Sequence, residues 1–167
     1  MKSRGSLKGT ACMAIALCLT AALISCKSRS PELQAGDADR SMERPLSTFN
    51  EEITSTVKDL TVTSGGSFEI PVTIKNPTSE AWSGTGKYPV TVSYKWFDNG
   101  AMLPIEGDRT MLPANLPPGA SVTLAVKGSA PTSGENLVIK VTMVQEGVAW
   151  FMIKGSAPLE LPVKIKH

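Results

Sequence analysis

The sequence predicts an all-β fold, a single antiparallel β-sandwich of about seven to nine strands over residues 53–167. Three observations carry the prediction. Apolar residues alternate with mostly polar ones in five separate runs. Turn-forming residues stand between those runs. No stretch of this region has the 3.6-residue period of an amphipathic helix. An alternation of period two places one face of a strand in a core and the other in solvent, as half-buried antiparallel strands require.

Each run can be read directly. In SFEIPVTIK, Phe68, Ile70, Val72 and Ile74 share one face, and Ser67, Glu69, Thr73 and Lys75 the other. In YPVTVSYKWF, Val90, Val92, Tyr94 and Trp96 align. SVTLAVK aligns Val122, Leu124 and Val126; LVIKVTM aligns Leu137, Ile139, Val141 and Met143; PLELPVKIK aligns Leu159, Leu161, Val163 and Ile165. Ser64-Gly65-Gly66, Asn76-Pro77, Pro117-Pro118-Gly119, Pro131-Thr132-Ser133-Gly134 and Gly155-Ser156-Ala157-Pro158 separate the runs. Asn99-Gly100 follows a strand and predicts a hairpin turn, because both residues tolerate positive φ. Pro71 and Pro162 sit inside strands, which predicts edge positions or bulges.

The first 52 residues read differently. MKSRGSLKG is basic, and no acid precedes Glu32. An apolar run follows from Thr10 to Ile24, broken only by Thr20. It is shorter than the roughly 20 residues a helix needs to cross a hydrocarbon core. A basic start and a short apolar centre describe a secretory signal peptide over residues 1–25. The run ends in Leu23-Ile24-Ser25-Cys26. That tetrapeptide resembles the lipobox of bacterial lipoproteins. The resemblance implies cleavage before Cys26 and a diacylglycerol on its thiol, often with a further acyl chain on the new amino group. Two or three chains give firm anchorage, at ~0.8 kcal/mol per buried methylene. Lys27 stands where an Asp usually holds Gram-negative lipoproteins in the inner membrane, so in such a cell the resemblance points to the outer membrane. Residues 26–52 are polar, poor in aromatics and mixed in charge, and read as the lipidated Cys followed by a disordered tether.

Maturation changes the composition. Three of the 17 basic residues lie before the cut, which leaves 14 against 15 acids and a formal charge of −1 in place of +2. Nothing here points to nucleic acid. Cys12 and Cys18 leave with the signal, so the exported domain must hold together by packing without a disulfide.

Residues 72–165 add a second resemblance, carried by VTIKNPTSEAW, VTVSYKWFDNGAMLP, DRTMLPANLPPGASVTLAV and IKVTMVQEGVAWFMIKG. Their order is similar to bacterial immunoglobulin-like domains of proteins in cell-surface polysaccharide metabolism, among them the C-terminal glycan-binding module of O-antigen ABC transporter ATPases. The resemblance implies an immunoglobulin-like sandwich and suggests glycan binding. This chain has no phosphate-binding loop, so no transport role carries over. Trp96 corresponds to the tryptophan that such sandwiches bury mid-domain, and is expected in the core.

Enzyme signatures are scarce. The only histidine is His167, which argues against zinc sites and histidine-activated nucleophiles. Ser55-Thr56-Val57-Lys58 has the SxxK spacing of penicillin-binding proteins, but the companion motifs are missing and the segment reads as strand. Asp98, Glu106 and Asp108 could bring carboxylates into neighbouring loops, as a calcium site or acid pair needs, or simply be solvated. The expectation is a protein without catalytic residues, metal or cofactor.

Aromatic residues are the candidate ligand contacts. Trp150 and Phe151 are adjacent, so on a strand they point to opposite faces. Val148 and Met152 accompany Trp150, and Ala149 and Ile153 accompany Phe151. Either this strand is covered on both sides, or one face is an open platform. Trp82 and Tyr88 flank the loop Ser83-Gly84-Thr85-Gly86 and could display a ring or pack it. Aromatic rings stack on the apolar faces of sugars, and exposed apolar patches mark interaction sites. The expected function is a membrane-anchored, non-enzymatic binding module of the cell envelope, with polysaccharide or an envelope protein as partner. The alternative is a structural or accessory subunit that docks through a sheet edge.

Overall fold

The structure, a computed structural model, describes residues 44–166. The expected signal peptide, Cys26, the part of the expected tether up to residue 43 and His167 lie outside the described residues.

Ten strands are present among the described residues. They are β1 (Glu52–Thr54), β2 (Leu60–Thr63), β3 (Ser67–Lys75), β4 (Val90–Asp98), β5 (Ala101–Glu106), β6 (Thr110–Met111), β7 (Ser121–Ser129), β8 (Leu137–Gln145), β9 (Ala149–Trp150) and β10 (Leu159–Lys166). A 3₁₀ turn, Phe151–Lys154, follows β9. The strands form two sheets, ordered β1-β3-β7 and β2-β10-β8-β4-β5, with β6 on β4 and β9 on β8. In immunoglobulin lettering these are A-B-E and A′-G-F-C-C′. The fold is an immunoglobulin-like β-sandwich.

The alternation fixes which face is buried. Along β3 the pattern is strict: Phe68, Ile70, Val72 and Ile74 are buried, and Ser67, Glu69, Pro71 and Thr73 are exposed. Val90, Val92, Tyr94 and Trp96 of β4 lie opposite Gln145, Met143, Val141 and Ile139 of β8, all of them buried. Trp96 is fully buried and meets Phe68 edge-to-face at 5.7 Å between centroids; Phe68 meets Tyr94 in the same way at 5.1 Å. Such pairs add about 0.5–1.5 kcal/mol to the burial of the rings.

One ladder departs from the antiparallel expectation. β2 runs parallel to β10, pairing Leu60 with Val163 through Thr63 with Lys166. The chain leaves the small sheet after β1 and joins the far edge of the large one beside the last strand. The prolines sit where no ladder needs their missing N–H. Beyond Thr54, β1 no longer faces β3, and Ser55 Oγ donates to the Pro71 carbonyl at 2.6 Å. Pro162 lies one residue before the β2 ladder begins at Val163. Asn99 and Gly100 have φ of 49° and 81°, the two positive angles that the β4–β5 hairpin requires.

The packed domain starts earlier than the boundary expected at 53. Leu46 is buried in the core and Phe49 packs against it. The Leu46 N–H donates to Gln145 Oε1 at 2.9 Å. Glu80 receives the Ser47 N–H at 2.8 Å, the Ser47 hydroxyl at 2.6 Å and Arg44 at 2.9 Å. Residues 44–51 are thus a strap laid on the sandwich. The tether reading missed it because Leu46, Phe49 and Glu51 are isolated in a polar stretch and are satisfied only by partners distant in sequence.

Candidate functional site

Two of the aromatic candidates are core. Trp82 and Phe151 are fully buried and meet edge-to-face at 5.4 Å, and Phe49 of the strap caps Phe151 at 5.3 Å. Trp82 is held by reciprocal backbone hydrogen bonds with Leu116, at 3.0 and 2.8 Å. Neither ring can contact a ligand, which corrects the expectation for both. The alternation expected through residues 148–153 stops at Trp150. There the chain turns into the 3₁₀ segment, which carries Phe151 inward and leaves Ile153 exposed, until Gly155 at φ 96° ends it.

Tyr88 and Trp150 are half-buried. The Tyr88 carbonyl accepts from Gln145 Nε2 at 3.2 Å, and Lys87 lies 5.1 Å from its ring centroid. Trp150 is the better equipped residue. Lys95 Nζ lies 4.3 Å from its ring centroid and the Arg109 guanidinium 4.7 Å. Arg109 in turn donates to Glu146 at 2.8 Å, the Gly107 carbonyl at 2.7 Å and Ser93 Oγ at 3.2 Å. Lys95 donates to Glu106 at 2.6 Å, and this hydrogen bond holds the Glu106 carboxyl below its ordinary range. A shallow depression of about 240 Å³ opens beside Trp150, lined by Arg109, Gln145, Glu146 and the Gly147 turn. Lys95, Arg109, Glu146 and Trp150 lie on or beside the outer face of the larger sheet, whereas the Gln145 side chain is buried on the inner face, its amide bonded to Leu46 and Tyr88.

Sequence reasoning singled out Trp150 and missed Lys95, Arg109 and Glu146. The signal for Lys95 was its place in the alternation, between two core aromatics and therefore outward. Arg109 and Glu146 gave none, because their sites come from loops joined only in space.

Of the carboxylates that could have met in neighbouring loops, Asp98 and Glu106 have separate partners. Asp98 accepts the Glu135 and Asn136 N–H groups at 3.2 and 2.9 Å and clamps a turn. Glu106 pairs with Lys95 and, at 3.6 Å, with Arg109. Among the described residues no group of three His, Cys, Asp or Glu side chains could hold a metal ion. Ser55 and Lys58 lie in the loop between β1 and β2, where the strand expected there is absent. Lys58 reaches the Ser55 carbonyl at 3.5 Å and not its hydroxyl.

Among the described residues the one strongly perturbed carboxyl is Glu51 in the strap. Burial pushes it up to about 7, offset in part by hydrogen bonds from the Thr142 hydroxyl and the Met143 N–H. Its own N–H donates to Ser156 Oγ at 2.9 Å. It serves as a structural latch between the strap and β8.

No family model matches the chain, and no curated protein matches it. Among solved structures, a CARDB domain from Pyrococcus furiosus in complex with di-metal ions is 15% identical, with a TM-score of 0.37 over 70% of this chain and 93% of that one. A β-glucosidase from Listeria innocua in complex with glucose is 16% identical, with a TM-score of 0.33 over 68% of this chain and 16% of that one. A further structure of the β-glucosidase from Listeria innocua gives 15% identity and a TM-score of 0.35, over 71% of this chain and 16% of that one. The chain therefore spans about a sixth of the glucosidase. The sandwich assignment rests on the strand order and registers above.

Proposed function

We propose that this chain is a lipid-anchored binding module of the bacterial cell envelope, held by acyl chains on Cys26, that takes polysaccharide on the outer face of its larger sheet. The observation that carries the reading is the half-buried Trp150 beside a polar depression, with the side chains of Arg109 and Glu146 at its edge. An aromatic ring among a few convergent polar groups suits a sugar, which offers both C–H faces and hydroxyls. The anchor rests on the basic start, the short apolar run and Leu23-Ile24-Ser25-Cys26. In a Gram-negative cell, Lys27 favours the outer membrane.

A second reading has its own observation. β7 is nine residues long, contains no proline and, among the described residues, pairs on one side only, with β3. Such an edge can accept a strand from an envelope protein. One experiment separates the two. The full-length protein in mild detergent is presented with purified envelope polysaccharide and, in parallel, with solubilised envelope proteins. Retention on polysaccharide, lost in Trp150→Ala with the fold intact, supports the first reading. Retention of one stoichiometric protein, unaffected by Trp150→Ala, replaces it with the second.

A further inference from the structure

The outer face of the larger sheet carries a charge arrangement that folding alone does not call for. The registers place Glu106 of β5, Lys95 of β4, Lys140 of β8 and Glu160 of β10 directly opposite one another in a single row. With strands ~4.8 Å apart, the row is ~14 Å long. Its two central members are both lysines, and like charges directly opposite each other on a sheet are unfavourable. Each lysine leans outward to a glutamate, Lys95 to Glu106 and Lys140 to Glu160, both at 2.6 Å. Each also lies over a half-buried ring, Lys95 over Trp150 at 4.3 Å and Lys140 over Phe97 at 4.6 Å.

The two sides of these ion pairs differ in exposure. The lysine side chains are 12% and 24% exposed, and the glutamates 72% and 51%. The cations are held in place by rings and strands, while their partners stand in solvent. Only the glutamates are exposed, so a released carboxylate is hydrated in solvent while another anion takes over the half-buried lysine's charge. On the same face Arg109 adds a third cation at the Trp150 end, and Lys164 continues the alternation of β10 outward.

We propose that the Lys95–Lys140 pair is the seat of an acid group of the ligand, so that the polysaccharide taken by this face is an acidic one, a polymer of uronate type. The ligand carboxylate lies between the two ammonium groups, relieves their opposition and displaces Glu160 or Glu106. Neighbouring sugar units run along the row toward Trp150 and its depression. An acidic peptide fits this face less well. A sheet face offers no free backbone groups, and peptides are taken by edges or grooves. The inference rests on the polysaccharide reading above and adds the charge class of the glycan.

The test uses the full-length protein in mild detergent with four probes: polygalacturonate, neutral amylose, poly-glutamate, and vesicles of phosphatidylglycerol. Binding to polygalacturonate is expected, weakening as salt is raised, with amylose clearly weaker. Lys140→Gln should lose roughly tenfold, the worth of one charge-assisted hydrogen bond. Glu160→Gln should bind polygalacturonate more tightly than the parent, because it removes the competing carboxylate; a merely structural ion pair would give no such gain. If amylose binds as well as polygalacturonate and Glu160→Gln changes nothing, the acid-group assignment falls and the polysaccharide reading stands. If neither glycan is retained, both fall. Tighter binding to poly-glutamate, or vesicle binding that Lys140→Gln weakens where the acyl anchor alone would leave it unchanged, overturns the assignment in favour of that partner.

Discussion

At the scale of single residues, burial and neighbouring charge decide what each aromatic does. Trp96 is fully buried against Phe68 and Tyr94, so Trp96→Ala removes one of the two largest side chains of the core. Loss of ~3–5 kcal/mol is expected in urea unfolding, the range for emptying such a site. An unchanged midpoint would contradict the core role. Trp150→Ala should cost much less, because that ring is half-buried on the outer face. Gly128 belongs with Tyr94. A Cβ built there would come closer to the tyrosine hydroxyl than any packed atom can, so Gly128→Ala should lower the melting temperature by several degrees. The glycine was visible in the sequence, but its reason was not, since Tyr94 is on another strand and the other sheet.

At the scale of elements, the strap is the segment whose behaviour depends most on conditions. Glu51 has its carboxyl raised to about 7 in the fold, against an ordinary 4.5. Between those pH values the folded state holds more protons than the unfolded one, so stability falls as pH rises from 4.5 toward 7. Above about 7 the charge is buried and the cost is complete, roughly 3 kcal/mol between the extremes. Urea unfolding at pH 5 and pH 9 should show the protein less stable at the higher pH. Glu51→Gln, which stands in for the neutral acid, should flatten that difference. An equally steep dependence in the variant would place the titrating group elsewhere. The strap illustrates what a pattern cannot show. β3 reads off the sequence residue by residue because its own alternation decides its burial. Leu46 and Glu51 are buried by Gln145, Thr142 and Met143, about a hundred residues away.

At the scale of the whole molecule, the sandwich and its anchor form one proposal about location and partner. Cys26→Ala should abolish incorporation of labelled palmitate and leave an uncleaved precursor, because a serine or alanine offers no thiol to become a thioether. Normal labelling in the variant would remove the anchor from the proposal. The proposed ligand face belongs to the same architecture. It lies on the outer side of the larger sheet, where Lys95, Lys140 and Arg109 meet Trp150 and Phe97.

By itself the sequence determined the class of fold, the inward faces of β3, β4, β7, β8 and β10, the hairpin at Asn99-Gly100 and the place of Trp96 in the core. These depend on alternation and turn chemistry, which are local properties of the chain. Only the tertiary structure decided that Trp82 and Phe151 are core while Trp150 is not, that residues 44–51 belong to the domain, and that two lysines stand side by side between two glutamates. Those outcomes depend on strand register and on where loops land, and both come from long-range pairing, to which a residue's immediate neighbours in the chain are blind.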